Sequence, residues 1–168
     1  GWAVYHHKNT AAPETDFLRL DETNATADHA DYWQDTAPTS SVFSVGTDSA
    51  VNGNTVTTIS YLWSEKQGYS KFGSYTGNGD ADGAFIYTGF RPAFIIFKRT
   101  NTTNDWFMMD NKVHNFNKAE ADSKMLRPNL SNAEQANNTV DLLSNGFKAR
   151  NANDAYNANG STYIYICL

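Results

Sequence analysis

The hexapeptide Asn78-Gly79-Asp80-Ala81-Asp82-Gly83 sets side-chain oxygens at alternate positions and closes on a glycine. Calcium loops share that spacing, because a hard cation collects several oxygens around a sharp turn. Gly89 stands where an EF-hand places its bidentate glutamate, so an EF-hand is excluded. Two readings stay open: a simpler calcium loop with Asn78, Asp80 and Asp82 as ligands, or an ordinary acidic β-turn. His6 and His7 are adjacent, and neighbours on a strand point to opposite faces, so they cannot share one ion without a bend. His29 and His114 have no partner at ligand spacing.

Hydrolytic chemistry finds little support. No nucleophile elbow is visible. A glycosidase needs an acid and a base or nucleophile held roughly 5–9 Å apart. Asp105 and Asp110 flank an apolar run and face opposite sides, while Glu14/Asp16 and Glu120/Asp122 alternate correctly but fall in loops. No catalytic residue is assigned, and the chain reads as a non-enzyme. Sugar binding asks for aromatic faces beside amide and carboxylate oxygens. Tyr32, Trp33, Tyr69, Tyr75 and Tyr156 lie in or beside Asn- and Asp-rich loops and are the ligand-binding candidates. The alternative for each is a cap on the core. Trp2, Trp63 and Trp106 sit in strand-like runs and are assigned to the core, as is Cys167, a small apolar side chain in the closing strand.

These residues must be positioned by strands. The chain has 168 residues, 40% hydrophobic and 14% aromatic, enough for a packed β-rich core. Its net charge of -5 argues against nucleic acid and against an anionic membrane as partners. No apolar run approaches the ~20 residues of a spanning helix. One cysteine permits no intrachain disulfide. The Asn-X-Ser/Thr triplets are those an Asn/Thr-rich chain carries by composition. The chain lacks an initiator Met and starts on a strand-like run, which suggests a fragment or a processed product.

Short β-prone runs separated by turn residues dominate. The centre is Gly73 to Arg99: strand, acidic turn, a strand at 84–87, a Gly-Phe-Arg-Pro corner, then a strand at 93–97 covered on both faces. Further strands are expected at 2–7, 17–20, 41–46, 55–63, 105–110, 124–127, 140–143, 147–150 and 162–168. Hairpin turns are expected at Asn52-Gly53 and Ser144-Asn145-Gly146. Short helical turns are expected around 118–121 and 133–136. The pattern predicts an all-β sandwich or barrel.

The chain also matches itself at a period of about 100 residues. Trp2-Ala3-Val4-Tyr5 answers Trp106-Phe107-Met108-Met109, and Phe17-Leu18-Arg19-Leu20 answers Lys124-Met125-Leu126-Arg127. Val42 to Gly46 answers Asp141 to Gly146. Asn52 to Thr55 answers Asn159 to Thr162, and Thr58 to Trp63 answers Tyr163 to Leu168. Residues 1–66 read as a partial first copy of a β-unit and 67–168 as a full second copy, packed as one sandwich. The first copy has no counterpart of Gly73 to Lys98.

Gly-Ser-Tyr-Thr-Gly-Asn-Gly (73–79), Tyr-Thr-Gly-Phe-Arg-Pro-Ala-Phe-Ile-Ile-Phe-Lys-Arg (87–99), Asp-Trp-Phe-Met-Met-Asp (105–110), Leu-Arg-Pro-Asn (126–129), Asp-Leu-Leu-Ser-Asn-Gly-Phe-Lys (141–148) and Asn-Gly-Ser-Thr-Tyr-Ile-Tyr (159–165) follow in a distinctive order. That order resembles a repeated concanavalin-A-like (lectin/glucanase-type) domain of tailed marine bacteriophage virion proteins. The resemblance implies an all-β sandwich of jelly-roll or concanavalin-A-like type, and a non-enzymatic structural or adhesion part on the virion surface, binding host glycans or neighbouring virion subunits, with a homo-oligomer as one form. It brings no catalytic residues and no obligatory cofactor; calcium stays open. The alternatives are a free carbohydrate-binding module or lectin, and a glucanase-like hydrolase.

Overall fold

Val, Ile, Phe and Tyr cluster in runs of three to six residues bounded by Gly, Asn and Asp, and these runs pair into antiparallel sheets. The computed structural model describes residues 1–113, 124–136 and 140–168. The protein is all-β and sandwich-like. Its main sheet contains β4 (Lys71–Thr76), β6 (Phe94–Arg99), β7 (Trp106–Asp110) and β12 (Thr162–Cys167), in the order β4-β12-β6-β7. A second sheet joins β5 (Phe85–Tyr87) to the hairpin of β10 (Val140–Leu143) and β11 (Gly146–Ala149). A third consists of β1 (Ala3–Val4), β2 (Asp16–Arg19) and β3 (Ala27–Asp28). A small fourth pairs β8 (Lys124–Met125) with β9 (Gln135–Ala136).

Side chains on a strand alternate between faces, and the main sheet is apolar on both. One face carries Ile95, Phe97, Phe107, Met109, Tyr165 and Cys167, packed against Ile86, Val140, Leu142 and Phe147 of the second sheet. Gly73 is required here, because the Tyr165 hydroxyl occupies the space its Cβ would need. The opposite face carries Ile96, Trp106 and Ile164, packed against Val4, Leu18 and Leu20. The N-terminal sheet is thus a second cover on the main one. Its own outer side packs on Tyr32, Trp33 and Val51 from α1 (Ala30–Trp33) and α2 (Ser49–Asn52), two single-turn helices.

The seam between the N-terminal layer and the main sheet is fastened by polar groups. The Trp106 indole N–H donates to the Arg19 carbonyl at 2.8 Å. Lys98 is fully buried, and its ammonium donates to the carbonyls of Thr23 (3.2 Å), Arg99 (2.9 Å) and Asn104 (2.9 Å). Burial lowers the amine to about 8, with the Asp105 carboxylate opposing. Three acceptors match the three protons of an ammonium, which keeps the group charged at neutral pH. His6 is buried as well. Its Nε2 lies 3.1 Å from the Tyr165 carbonyl and therefore carries the proton, while Nδ1 accepts from the Lys8 amide at 3.2 Å. Both ring nitrogens are satisfied in the neutral form, and burial lowers its pKa to about 4.

Several sequence expectations are corrected. Residues 41–46 form no strand: the Gly46 amide donates to the Tyr32 carbonyl and Val45 packs beside the helices. Asn52-Gly53 is no hairpin turn but the end of α2, whose first turn is capped by the Asp48 side chain. Residues 133–136 are not helical, because Gln135 and Ala136 pair with β8. Residues 55–63 form no paired strand. The helical turn expected at 118–121 lies outside the described residues.

Two outcomes follow. Lys98→Met leaves three carbonyls without their donor, and thermal unfolding should register a loss of about 2–4 kcal/mol. Folded His6 takes its proton near pH 4 and unfolded histidine near 6.5, so its stability contribution is full above pH 6.5 and is lost as the pH falls toward 4. Urea melts across that window should fall by about 3 kcal/mol, and His6→Gln should flatten the dependence.

Candidate functional site: an exposed aromatic arm

The run Thr55-Val56-Thr57-Thr58-Ile59-Ser60-Tyr61-Leu62-Trp63 is rich in β-branched and aromatic residues, which favour extended backbone. It has no strand partner among the described residues. Thr55 enters it at φ 61°, an unusual conformation for a β-branched residue. Val56, Ile59 and Tyr61 are exposed, with Leu62 at 71% and Trp63 at 61% of full exposure. Tyr61 and Trp63, two apart and so on one side, lie with ring centroids 6.1 Å apart, and Trp2 adds a third ring 5.9 Å from Tyr61. The result is a solvent-facing row of three rings. Trp2 and Trp63 are therefore not core residues, unlike Trp106.

The far end of the arm is pinned. The Glu65 carboxylate accepts from the Phe72 amide at 3.0 Å and from the Lys71 ammonium at 3.1 Å. Burial opposes its ionisation, yet these two donors hold the carboxyl below its usual value. Lys66 pairs with Ser70 across a tight turn whose tip carries Tyr69, also exposed.

Tyr69 is the one ligand-binding candidate at the surface beside the arm. The other four do not form a sugar platform. Tyr32 is buried, stacked 3.8 Å from Phe17, with its hydroxyl accepting from Arg19. Trp33 is buried and donates to the Asp16 carbonyl. Tyr75 stacks on Tyr163 at 4.9 Å and donates to the carbonyl of Tyr156, itself fully buried. Rings packed on their neighbours' faces leave none for a ligand. Hydrophobic patterning alone does not separate a platform from a cap; the missing signal was that residues 55–63 lack neighbours to pair with.

The acidic loop closes on a nitrogen. The buried Asn157 amide donates to the Asn78 side-chain oxygen and to the carbonyls of Asp80 and Asn151, each at 2.9 Å. A cation would need those oxygens and that space, and a donor group already fills it. Gly83 is required because a Cβ there would meet Asn157 Nδ2 at 2.8 Å. Asn78 and Asp80 also accept from the Asp80 and Asp82 amides, and Asp82 pairs with Lys148, which holds its carboxyl below the usual range. The residues present do not fit a calcium ion. Among the described residues, no group of three or more His, Cys, Asp or Glu is arranged to hold a metal.

Several of the remaining acids and histidines are engaged as well. Asp105 accepts from Arg127 at 2.9 Å and Asn129 at 2.7 Å, and Asp110 caps the amides of Lys112 and Val113. Asp16 accepts from the Thr10 hydroxyl. His29 caps α1, and His7 stacks on His6 at 5.5 Å. His114, Glu120 and Asp122 lie outside the described residues. Burial pushes the Cys167 thiol up, away from the reactive thiolate. No helix among the described residues is long and apolar enough to cross a membrane.

A family model described as a domain of unknown function, DUF7483, matches residues 1–168. The chain belongs to that family. No curated protein and no solved structure matches it.

The Asn157 arrangement is testable by thermal melts in calcium and in chelator. The wild-type protein should melt at the same temperature in both. Asn157→Asp puts a carboxylate against three oxygens and should cost about 2–4 kcal/mol in chelator.

Proposed function

We propose that the chain is a non-enzymatic contact module, a structural or adhesion part of a phage virion, working through its exposed surface. The observation that carries this reading is the aromatic arm. Contiguous exposed apolar side chains on a folded domain mark interaction surfaces, and aromatic residues are enriched where proteins meet. The sequence resemblance to virion repeats points the same way.

A glycan reading draws on the same three rings, since a pyranose stacks on exposed indole and phenol faces. The experiment is an immobilised-glycan screen of the purified chain with a reducing-sugar assay alongside. No new reducing ends should appear, and any glycan retained should be lost in Trp63→Ala. Release of reducing sugar in proportion to protein would contradict a non-enzymatic module.

A further inference from the structure

We propose that the arm is a processing site: an endopeptidase with an apolar specificity pocket cuts the Tyr61–Leu62 bond, and the two pieces, 1–61 and 62–168, stay joined as one folded body. Cleavage there is independent of whether the arm also serves as a contact.

An endopeptidase takes its substrate as an extended strand, through backbone hydrogen bonds on either side of the bond it cuts. A segment already paired in a sheet must first leave it, at the cost of local unfolding. The arm has no pairing to break. Every residue from 54 to 69 is exposed. Among the described residues, no backbone group from Thr57 to Trp63 is hydrogen-bonded. Exposed chain of this kind is where nicking concentrates. Other exposed large side chains sit on engaged backbone. Phe85 and Tyr87 are paired with β11. The Tyr69 amide donates to the Lys66 carbonyl, and the Trp2 carbonyl accepts from Leu20. Val42, before Phe43, is tied to Thr39 through both its amide and its carbonyl.

The side chains set the specificity and the bond. From Asn54 to Glu65 there is no lysine or arginine, so a pocket for basic side chains finds nothing in the arm. Tyr61, Leu62 and Trp63 suit a hydrophobic slot. Trp63 adjoins the pinned end, where the Ser64 carbonyl and the Glu65 carboxylate are engaged. Tyr61 has unbonded backbone on both sides, and its ring is held only by loose contacts to Trp2 and Trp63. In the reaction the enzyme's nucleophile adds to the Tyr61 carbonyl carbon and the C–N bond breaks. The Leu62 nitrogen leaves with the nucleophile's proton as a new amino terminus. Water then frees Tyr61 as a carboxylate and restores the nucleophile.

The pieces stay together because the layers hold them. Residues before the cut supply Leu18, packed with Trp106 and Ile164. They also supply three ties: the Arg19 carbonyl to the Trp106 indole, the Thr23 carbonyl to Lys98, and the His6 ring to the Tyr165 carbonyl. A cut in the arm removes none of these.

Limited digestion of the native full chain with chymotrypsin, read by intact mass and by size-exclusion chromatography, tests this. The first product should be the pair 1–61 and 62–168, eluting together where the uncut 18.7 kDa chain elutes. A variant combining Tyr61→Gly, Leu62→Gly and Trp63→Gly should lose that first cut by at least about tenfold in rate. Its melting temperature should stay near the wild type's, since all three side chains are exposed. A first cut outside the bonds that follow Tyr61, Leu62 and Trp63 overturns the site, and so does a triple variant cut in the arm as fast as the wild type. A first cut after Leu62 or Trp63 overturns the choice of bond. Pieces that separate on the column overturn the joined form.

Discussion

β12 is hydrogen-bonded on both edges and packed on both faces, and the rest of the fold answers that constraint. Its neighbours β4 and β6 satisfy its backbone. Tyr163, Tyr165 and Cys167 are buried on one side and Ile164 on the other. A sheet that is apolar on both faces needs two covers. The hairpin sheet of β10, β11 and β5 supplies one, and residues from the N-terminal third supply the other. The two parts of the chain are therefore unequal in structure: residues from Lys71 onward build the sandwich, and much of the N-terminal third covers it.

Burying so many strand faces brings polar groups inside, and the protein settles them with backbone carbonyls. Lys98 spends three protons on three carbonyls, Asn157 gives its amide to two carbonyls and one side chain, and His6 gives its one proton to Tyr165. Each is a long-range tie: Lys98 reaches Thr23, Asn157 reaches Asn78, and His6 reaches β12. Unmade bonds at such places cost more than made bonds gain. These three residues consequently specify how the layers and loops meet, and chemistry that would need their nitrogens free is not available to them.

Much of this was legible in the sequence. The apolar runs at 93–97, 105–110 and 162–168 became strands close to those bounds, and Ser144-Asn145-Gly146 became the hairpin expected of it. The failures have one cause. Residues 41–46 and 55–63 carry as good a strand pattern as 140–143, but a strand forms only where another backbone is there to pair with it. Pattern records what a segment prefers and not whether its neighbour exists. The same limit misplaced the aromatics: Tyr32 and Tyr156 lie in polar surroundings in sequence and in packed clusters in space, whereas Trp63, in the more strand-like run, faces water. The centre of the acidic loop is filled from Asn157, far along the chain, which no nearby residue signals.

A core strand paired on both edges and an exposed arm with no strand partner among the described residues form the central contrast in this molecule. Amide hydrogen exchange on the dilute chain, resolved to single residues, tests it most directly. Amides of 163–167 should exchange only through global unfolding, the slowest class in the protein, while those of 57–63 exchange near the rate of unstructured peptide. Protection of the arm comparable to that of β12 at the lowest concentration would mean that it is already paired within its own copy, and would contradict the contrast outright.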